Sequence, residues 1–136
     1  MNSAVVYFSR TGNTKKFAEA LAQAANATLY DLASTQPSSV AEFDLLIFGT
    51  PVEGASPTKE ATAFLNNIDS VSGKKAIVFN TCRVFGNSRT NKALEKALKA
   101  KGYDIILAVT KKVKPDKEPD FSEAVAEVKA TLSKLA

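Results

Sequence analysis

The 136-residue chain contains no histidine, no tryptophan and a single cysteine, Cys82. Without an imidazole to take a nucleophile's proton, Ser-His-Asp and Cys-His constellations are excluded. The same absence, with no cysteine cluster beside it, argues against a zinc site of the usual kind. One cysteine allows no intramolecular disulfide, which fits a reducing cytoplasm. The first apolar run, residues 4–8, has no basic segment ahead of it and is too short for a secretory leader or a membrane span. A cytoplasmic protein without a membrane partner is therefore expected. Two common phosphate signatures are missing as well. No G-x-x-x-x-G-K-[ST] string occurs, and no G-x-G-x-x-G, since Gly12 stands alone in its loop. No helix-turn-helix, aromatic RNA platform or arginine-rich arm is present, so nucleic acid is not an expected partner.

What is there suits one globular domain over residues 1–136. Hydrophobic residues make up 45% and charged residues 24%, enough to build a core without disulfides. The net charge of +4 is unevenly placed. Residues 1–68 carry four Lys/Arg and six Asp/Glu, whereas residues 69–136 carry fourteen and eight. The basic half reads either as a docking face for an acidic partner or as a set of solvated helix faces.

Apolar runs alternate with helical patterns, as in an α/β protein with a parallel sheet. The pattern predicts strands at 3–8, 28–32, 44–49, 75–80 and 104–109. It predicts helices at 13–25, from Ser56-Pro57 to about 67, at 89–101, and from a D-x-x-E capping box at Asp120–Glu123 onward. Residues 34–39 read as a Ser/Thr/Pro loop, and 111–117 as a charged loop.

The most informative stretch is Ser9-Arg10-Thr11-Gly12-Asn13-Thr14, between the first strand and the first helix. A helix start offers unpartnered N–H groups and the positive end of the helix dipole, and so favours an anion. Gly12 permits a sharp bend, and Ser9, Thr11 and Thr14 supply short hydroxyl donors. Ser and Thr at such a place also serve as ordinary helix caps. The stretch resembles the phosphate loop of the flavodoxin family, [ST]-x-T-G-x-T, at every fixed position. The resemblance extends over the whole chain in its short-chain form. It implies a three-layer, doubly wound five-stranded parallel sheet in order 2-1-3-4-5, with FMN bound at the carboxyl ends of the central strands. The FMN phosphate is then expected in the loop 9–14.

Two more loops belong to the site that this resemblance implies. Thr50-Pro51-Val52-Glu53-Gly54 matches the family's T-P-V start, but Glu53 stands where relatives often carry a tryptophan stacked on the flavin. Glu53 is expected to point to water. Gly54 is the candidate for a peptide that turns over when the flavin is reduced. The stretch Thr81-Cys82-Arg83-Val84-Phe85-Gly86 is expected to offer backbone N–H groups to the pyrimidine edge. Phe85 either takes the place of the missing stacking residue or anchors its loop. Arg83 either faces the flavin or lies exposed, and Cys82 reads as a small buried hydrophobe.

The resemblance implies an electron carrier between redox enzymes, a monomer or a weak dimer, whose partner is acidic if the basic half docks it. Electron-carrying members of the family are usually acidic, so the charge balance is a departure. Two other readings stand beside this one. One is an FMN-dependent NAD(P)H or quinone-type reductase; the other is a flavodoxin-fold binding domain that has lost its flavin. A receiver domain is excluded, because Phe8-Ser9-Arg10 stands where that topology needs acidic residues.

Overall fold

The computed structural model describes residues 1–135. Five parallel strands, β1 (Ser3–Tyr7), β2 (Thr28–Asp31), β3 (Leu45–Pro51), β4 (Lys74–Cys82) and β5 (Tyr103–Lys112), form one sheet in the order β2-β1-β3-β4-β5. The central strands β1, β3 and β4 are apolar on both faces because helices cover both. On one face α2 (Lys59–Asn66) and α3 (Asn87–Ala100) bury Phe64, Leu65, Leu94 and Leu98 against Val6, Leu46, Phe48 and Val78. On the other, α1 (Asn13–Ala25) and α4 (Ser122–Ser133) bury Phe17, Leu21, Ala124 and Val128 against Val5, Ile47, Ile77 and Phe79. The result is the expected three-layer fold with the expected strand order.

Gly49 is what lets the second layer close. It pairs with Tyr7 on β1 and with Phe79 on β4. A Cβ added at Gly49 would overlap the Phe79 ring. That ring meets Phe17 edge-on at 5.1 Å, and Phe17 in turn stacks on Phe121 at 4.8 Å. One glycine on β3 thus makes room for an aromatic column running from the sheet through α1 to the start of α4.

Several element ends differ from the sequence reading. Strands β3, β4 and β5 run on to Pro51, Cys82 and Lys112, because each residue finds a partner across the ladder: Pro51 with Thr81, and Cys82 with Lys112. Lys111 and Lys112 therefore end an edge strand rather than open a charged loop. Charged residues suit that place because they discourage pairing with another chain. Two short 3-10 turns, Leu32–Ser34 and Pro37–Glu42, overlap the expected loop 34–39 and bury Val40 and Leu32, the latter expected as the end of the second strand.

Ser56-Pro57 does not open α2. Ser56 is held in a turn with Glu53 through bonds of 2.8 and 3.1 Å, so the helix starts later. Its cap is Thr58, whose Oγ1 accepts from Ala61 N–H at 3.1 Å. The capping box at Asp120 does not form either. Asp120 Oδ1 accepts from Ser122 N–H and Oγ–H, at 3.0 and 2.7 Å, and α4 begins after Phe121, whose ring is committed to Phe17.

Replacing Gly49 with alanine must displace a fully buried ring. Gly49→Ala is expected to cost about 1–3 kcal/mol, the usual range for overpacking. Urea unfolding checks this, and an unchanged midpoint would show that the Phe79 column yields without strain.

Candidate functional site

The loops after β1, β3 and β4 meet at the carboxyl ends of the strands, where the strand order reverses. They enclose a cavity of about 380 Å³, within the range of about 300–1,000 Å³ usual for small-molecule sites. Pro51, Val52, Ala55, Val84, Phe85 and Val113 give it apolar walls, while Thr11, Asn13 and Thr81 bring polar groups.

At the first loop, Gly12 takes φ +98° and stands just ahead of α1. No side chain caps the helix. The first intrahelical bond runs from Lys16 N–H to Gly12 C=O at 3.0 Å, so the amides of Asn13, Thr14 and Lys15 precede it. Ser9 Oγ accepts from Gly12 N–H at 3.1 Å and so shapes the loop from within. Thr14 is buried, and its Oγ1 lies 2.7 Å from that of Thr81, which ties the first loop to the third.

Glu53-Gly54-Ala55-Ser56 forms a tight turn at the second loop. Gly54 and Ala55 both have positive φ, +59° and +61°, and Ser56 N–H donates to Glu53 C=O. This is the type I′ pattern. Glycine takes such a φ freely, but for Ala55 the cost is about 1–2 kcal/mol. The third loop holds this turn in place. A Cβ on Gly86 would come within 2.7 Å of Ala55 Cα, and Gly86, at φ +95°, leads directly into α3. Asn80, fully buried on β4, donates from Nδ2 to Asn87 C=O at 2.9 Å and pins the far end of the same loop.

The strongest polar feature is a strap from the first loop to the second. Arg10 Nε and Nη2 both donate to Glu53, the latter at 3.0 Å. Its Nη1 and Nη2 also donate to Glu60 on α2, at 3.1 and 2.9 Å. The guanidinium lies 4.9 Å from the centroid of the Phe8 ring, in cation–π range. Glu53 is exposed, as the sequence reading expected, and it is also paired with Arg10, which that reading did not foresee. Hydrogen bonds from Arg10 hold the Glu60 carboxyl below its usual range, and the bonds that Arg10 donates to Glu53 and then to Glu60 raise the Arg10 pKa.

Such a donor set fits the phosphate of a flavin mononucleotide, with open helix-start amides behind a glycine and a hydroxyl at Thr11. The apolar cavity beside it fits a flat ring. A model of the flavodoxin domain matches residues 4–108. The chain belongs to the flavodoxin domain family. An uncharacterized protein of Methanocaldococcus jannaschii is 34% identical over 95 residues, which make up 69% of this chain. The chain spans 63% of that relative's length. A flavodoxin of Streptococcus pneumonia TIGR4 superposes with a TM-score of 0.81 at 17% identity, covering 99% of this chain and 97% of the other. Oxidised Flavodoxin 1 of Bacillus cereus gives 0.77 at 21% identity, covering 100% and 99%. At these identities the two structures show the flavodoxin fold alone.

Within this flavodoxin domain, the residues picked out from sequence divide in two. Arg10, Thr11, Asn13, Pro51, Val52, Glu53, Gly54, Thr81, Cys82, Arg83 and Phe85 line the cavity. Ser9, Gly12, Thr14, Thr50 and Gly86 shape the loops around it. Thr50, fully buried, supports the α2 cap: its Oγ1 donates to that of Thr58 and accepts from Thr58 N–H, each at 3.2 Å. Phe85 and Val84 are each 72% exposed at the rim. Burial raises the Cys82 thiol pKa and Lys112 opposes this, so the thiol is not activated. Ala55 and Val113 were not singled out from sequence. Val113 reaches the cavity through its N–H bond to Cys82 C=O at 2.8 Å, a ladder contact with no local sequence signal.

The strap makes a titration test. A carboxyl held low in the folded state favours folding above its ordinary pKa, and that contribution is lost as pH falls through the lower native value. By NMR titration, Glu60 is expected to stay charged below the ordinary glutamate range, and Arg10→Gln to move its midpoint upward. An unmoved midpoint would show that the strap does not form in solution.

Proposed function

We propose that this flavodoxin-family chain binds FMN and passes electrons between larger redox enzymes. One observation carries the reading: the uncapped start of α1 behind Gly12 opens beside an apolar cavity walled by the second and third loops. When bound, the flavin supplies the electron chemistry. The chain's share is to hold the phosphate on helix-start amides and hydroxyls, to shelter the ring, and to present backbone groups at its edge. Arg83, among the cavity-lining residues, brings a positive charge close to the ring site.

The Glu53–Ser56 turn is suited to exchanging one backbone group for another. Turning the Gly54–Ala55 peptide over converts type I′ to type II′, leaving Gly54 at positive φ and returning Ala55 to negative φ. The strain at Ala55 therefore favours the turned state, while the Arg10–Glu53 strap holds the base of the turn.

Purified with added FMN, the protein is expected to keep flavin absorbance after desalting. Thr11→Ala with Thr14→Ala should weaken FMN binding roughly 10- to 100-fold, about one charge-assisted hydrogen bond each. Riboflavin, lacking the phosphate, should be affected much less. Thr11→Ala alone leaves the Thr14–Thr81 bond intact and separates a phosphate effect from loop loosening. Equal losses for the two ligands would remove the phosphate assignment.

The basic second half suits an acidic partner. Lys111, Lys112 and Lys114 lie around a shallow hollow close to the cavity mouth, and the exposed Val84 and Phe85 add apolar surface at its rim. Electron transfer to such a partner should slow with added salt, since exposed charges are screened over about 8–10 Å. Reversing the three lysines to glutamate should slow it further. A stopped-flow rate indifferent to both changes would leave the lysines a role in solubility alone.

A further inference from the structure

Among the described residues that line the cavity at the strand ends, Glu53 is the one carboxylate, against two guanidinium groups, Arg10 and Arg83. A bare carboxylate at the wall of a largely apolar cavity repels any ligand that gains negative charge there. This one is not bare. Arg10 grips it through Nε and Nη2, a two-point contact that suits the planar guanidinium fork. Glu60 on α2 accepts from Nη1 and Nη2, and the Phe8 ring centroid lies 4.9 Å from the guanidinium carbon. Contacts with the second loop, with α2 and with the end of β1 thus fix where the positive charge sits.

The ligand of the proposed function changes charge in one part only. Its phosphate is the same in both redox states. Adding two electrons and one proton to the neutral ring leaves the ring an anion at mildly basic pH. Glu53 is therefore the group on this wall that opposes reduction, and Arg10 is the group placed to offset it.

We propose that Arg10 is a positioning residue for Glu53 that sets the affinity of the site for reduced flavin. By holding the carboxylate in a two-point pair, it cancels the field that would otherwise oppose a negative ring. The proposal rests on the flavin reading above and adds the residue pair that distinguishes the two redox states. Arg83, which makes no ion pair among the described residues, contributes an attraction common to every variant below.

Two measurements on the full chain test this. In the first, oxidised FMN is titrated by visible absorbance at mildly basic pH. The affinity for reduced FMN then follows from the two-electron midpoint potential of bound against free flavin, with dithionite as reductant. The ratio of the two affinities removes any effect on phosphate binding, because the phosphate is common to both. Arg10→Gln should lower the reduced-to-oxidised ratio roughly 3- to 10-fold, the scale of one partly screened charge. Glu53→Gln should raise it by a similar factor. Arg10→Gln with Glu53→Gln, and Arg10→Lys alone, should each stay within about twofold of wild type, since each keeps the charge balance at the wall. A strap acting only as a mechanical tie would be cut by either single substitution, and the ratio would shift the same way in both. Shifts of the same sign, or no shift, overturn the proposal.

The second measurement needs no flavin. In the flavin-free protein the Arg10 Nε proton should give a protected NMR signal, lost in Glu53→Gln and kept in Glu60→Gln. Absence of that signal from the wild type overturns the pairing itself. A chain that takes up no FMN loses the flavin reading and this proposal with it, whatever the signal. A chain that binds FMN while both single variants shift alike keeps the flavin reading and loses the role of Arg10.

Discussion

Everything at the site depends on the lateral register of three parallel strands. Tyr7 lies beside Gly49, and Gly49 beside Phe79. Because β1, β3 and β4 are neighbours, their carboxyl ends lie side by side, with β3 and β4 running on past the level of Tyr7, and they release three loops toward one another. No loop is long enough to enclose a cavity alone. The hydrogen-bonded ladder brings them together, and it continues past the strands proper, with Val52 N–H on Thr81 C=O and Val113 N–H on Cys82 C=O. The small size of Gly49 is part of the same constraint, since it admits the Phe79 ring on which Phe17 seats α1. The start of α1, proposed above as the anion site, is positioned by that aromatic contact.

Electrostatics are layered on this frame. Arg10, the one charged residue within the loop 9–14, is committed to Glu53 and Glu60. The strap is partly exposed, so its worth lies in holding two loops in a fixed relation more than in raw stability. In the proposed reading, phosphate recognition falls to amides and hydroxyls. The uncompensated positive charge lies farther out, on Arg83 and the loop after β5. Charges placed there act on what arrives from solution.

Glycine and strain divide the work between the loops. Gly12 and Gly86 each turn the chain into a helix at positive φ, and Gly86 also lets the third loop press against the second. Ala55 holds a similar backbone angle without glycine's freedom. That puts backbone strain into the Glu53–Ser56 turn. Among the described residues no helix is long and apolar enough to cross a membrane, and no cluster of metal-ligating side chains forms.

Much of this was legible in the amino-acid order, and the reason is physical. Residues buried on both faces of a parallel strand must be apolar, so β1, β3 and β4 stood out, while the less buried edge strands β2 and β5 were legible from the alternation of apolar runs with helical patterns. The loop 9–14 could be singled out because the features that favour an anion at a helix start are local: a glycine, hydroxyls and the helix sit within a few residues of one another. What only the tertiary structure decided is non-local. The extra length of β3, β4 and β5 came from partners on other strands. The α2 cap moved from Ser56 to Thr58 because the Glu53 turn and Thr50 claimed the intervening chain. Glu53, read as a solvated carboxylate, became half of a strap because Arg10 lies 43 residues earlier in the chain and a few ångströms away in space. Sequence patterns report how each residue relates to its own helix or strand. Which charges meet, and which loops share a wall, follow from the order and register of the strands.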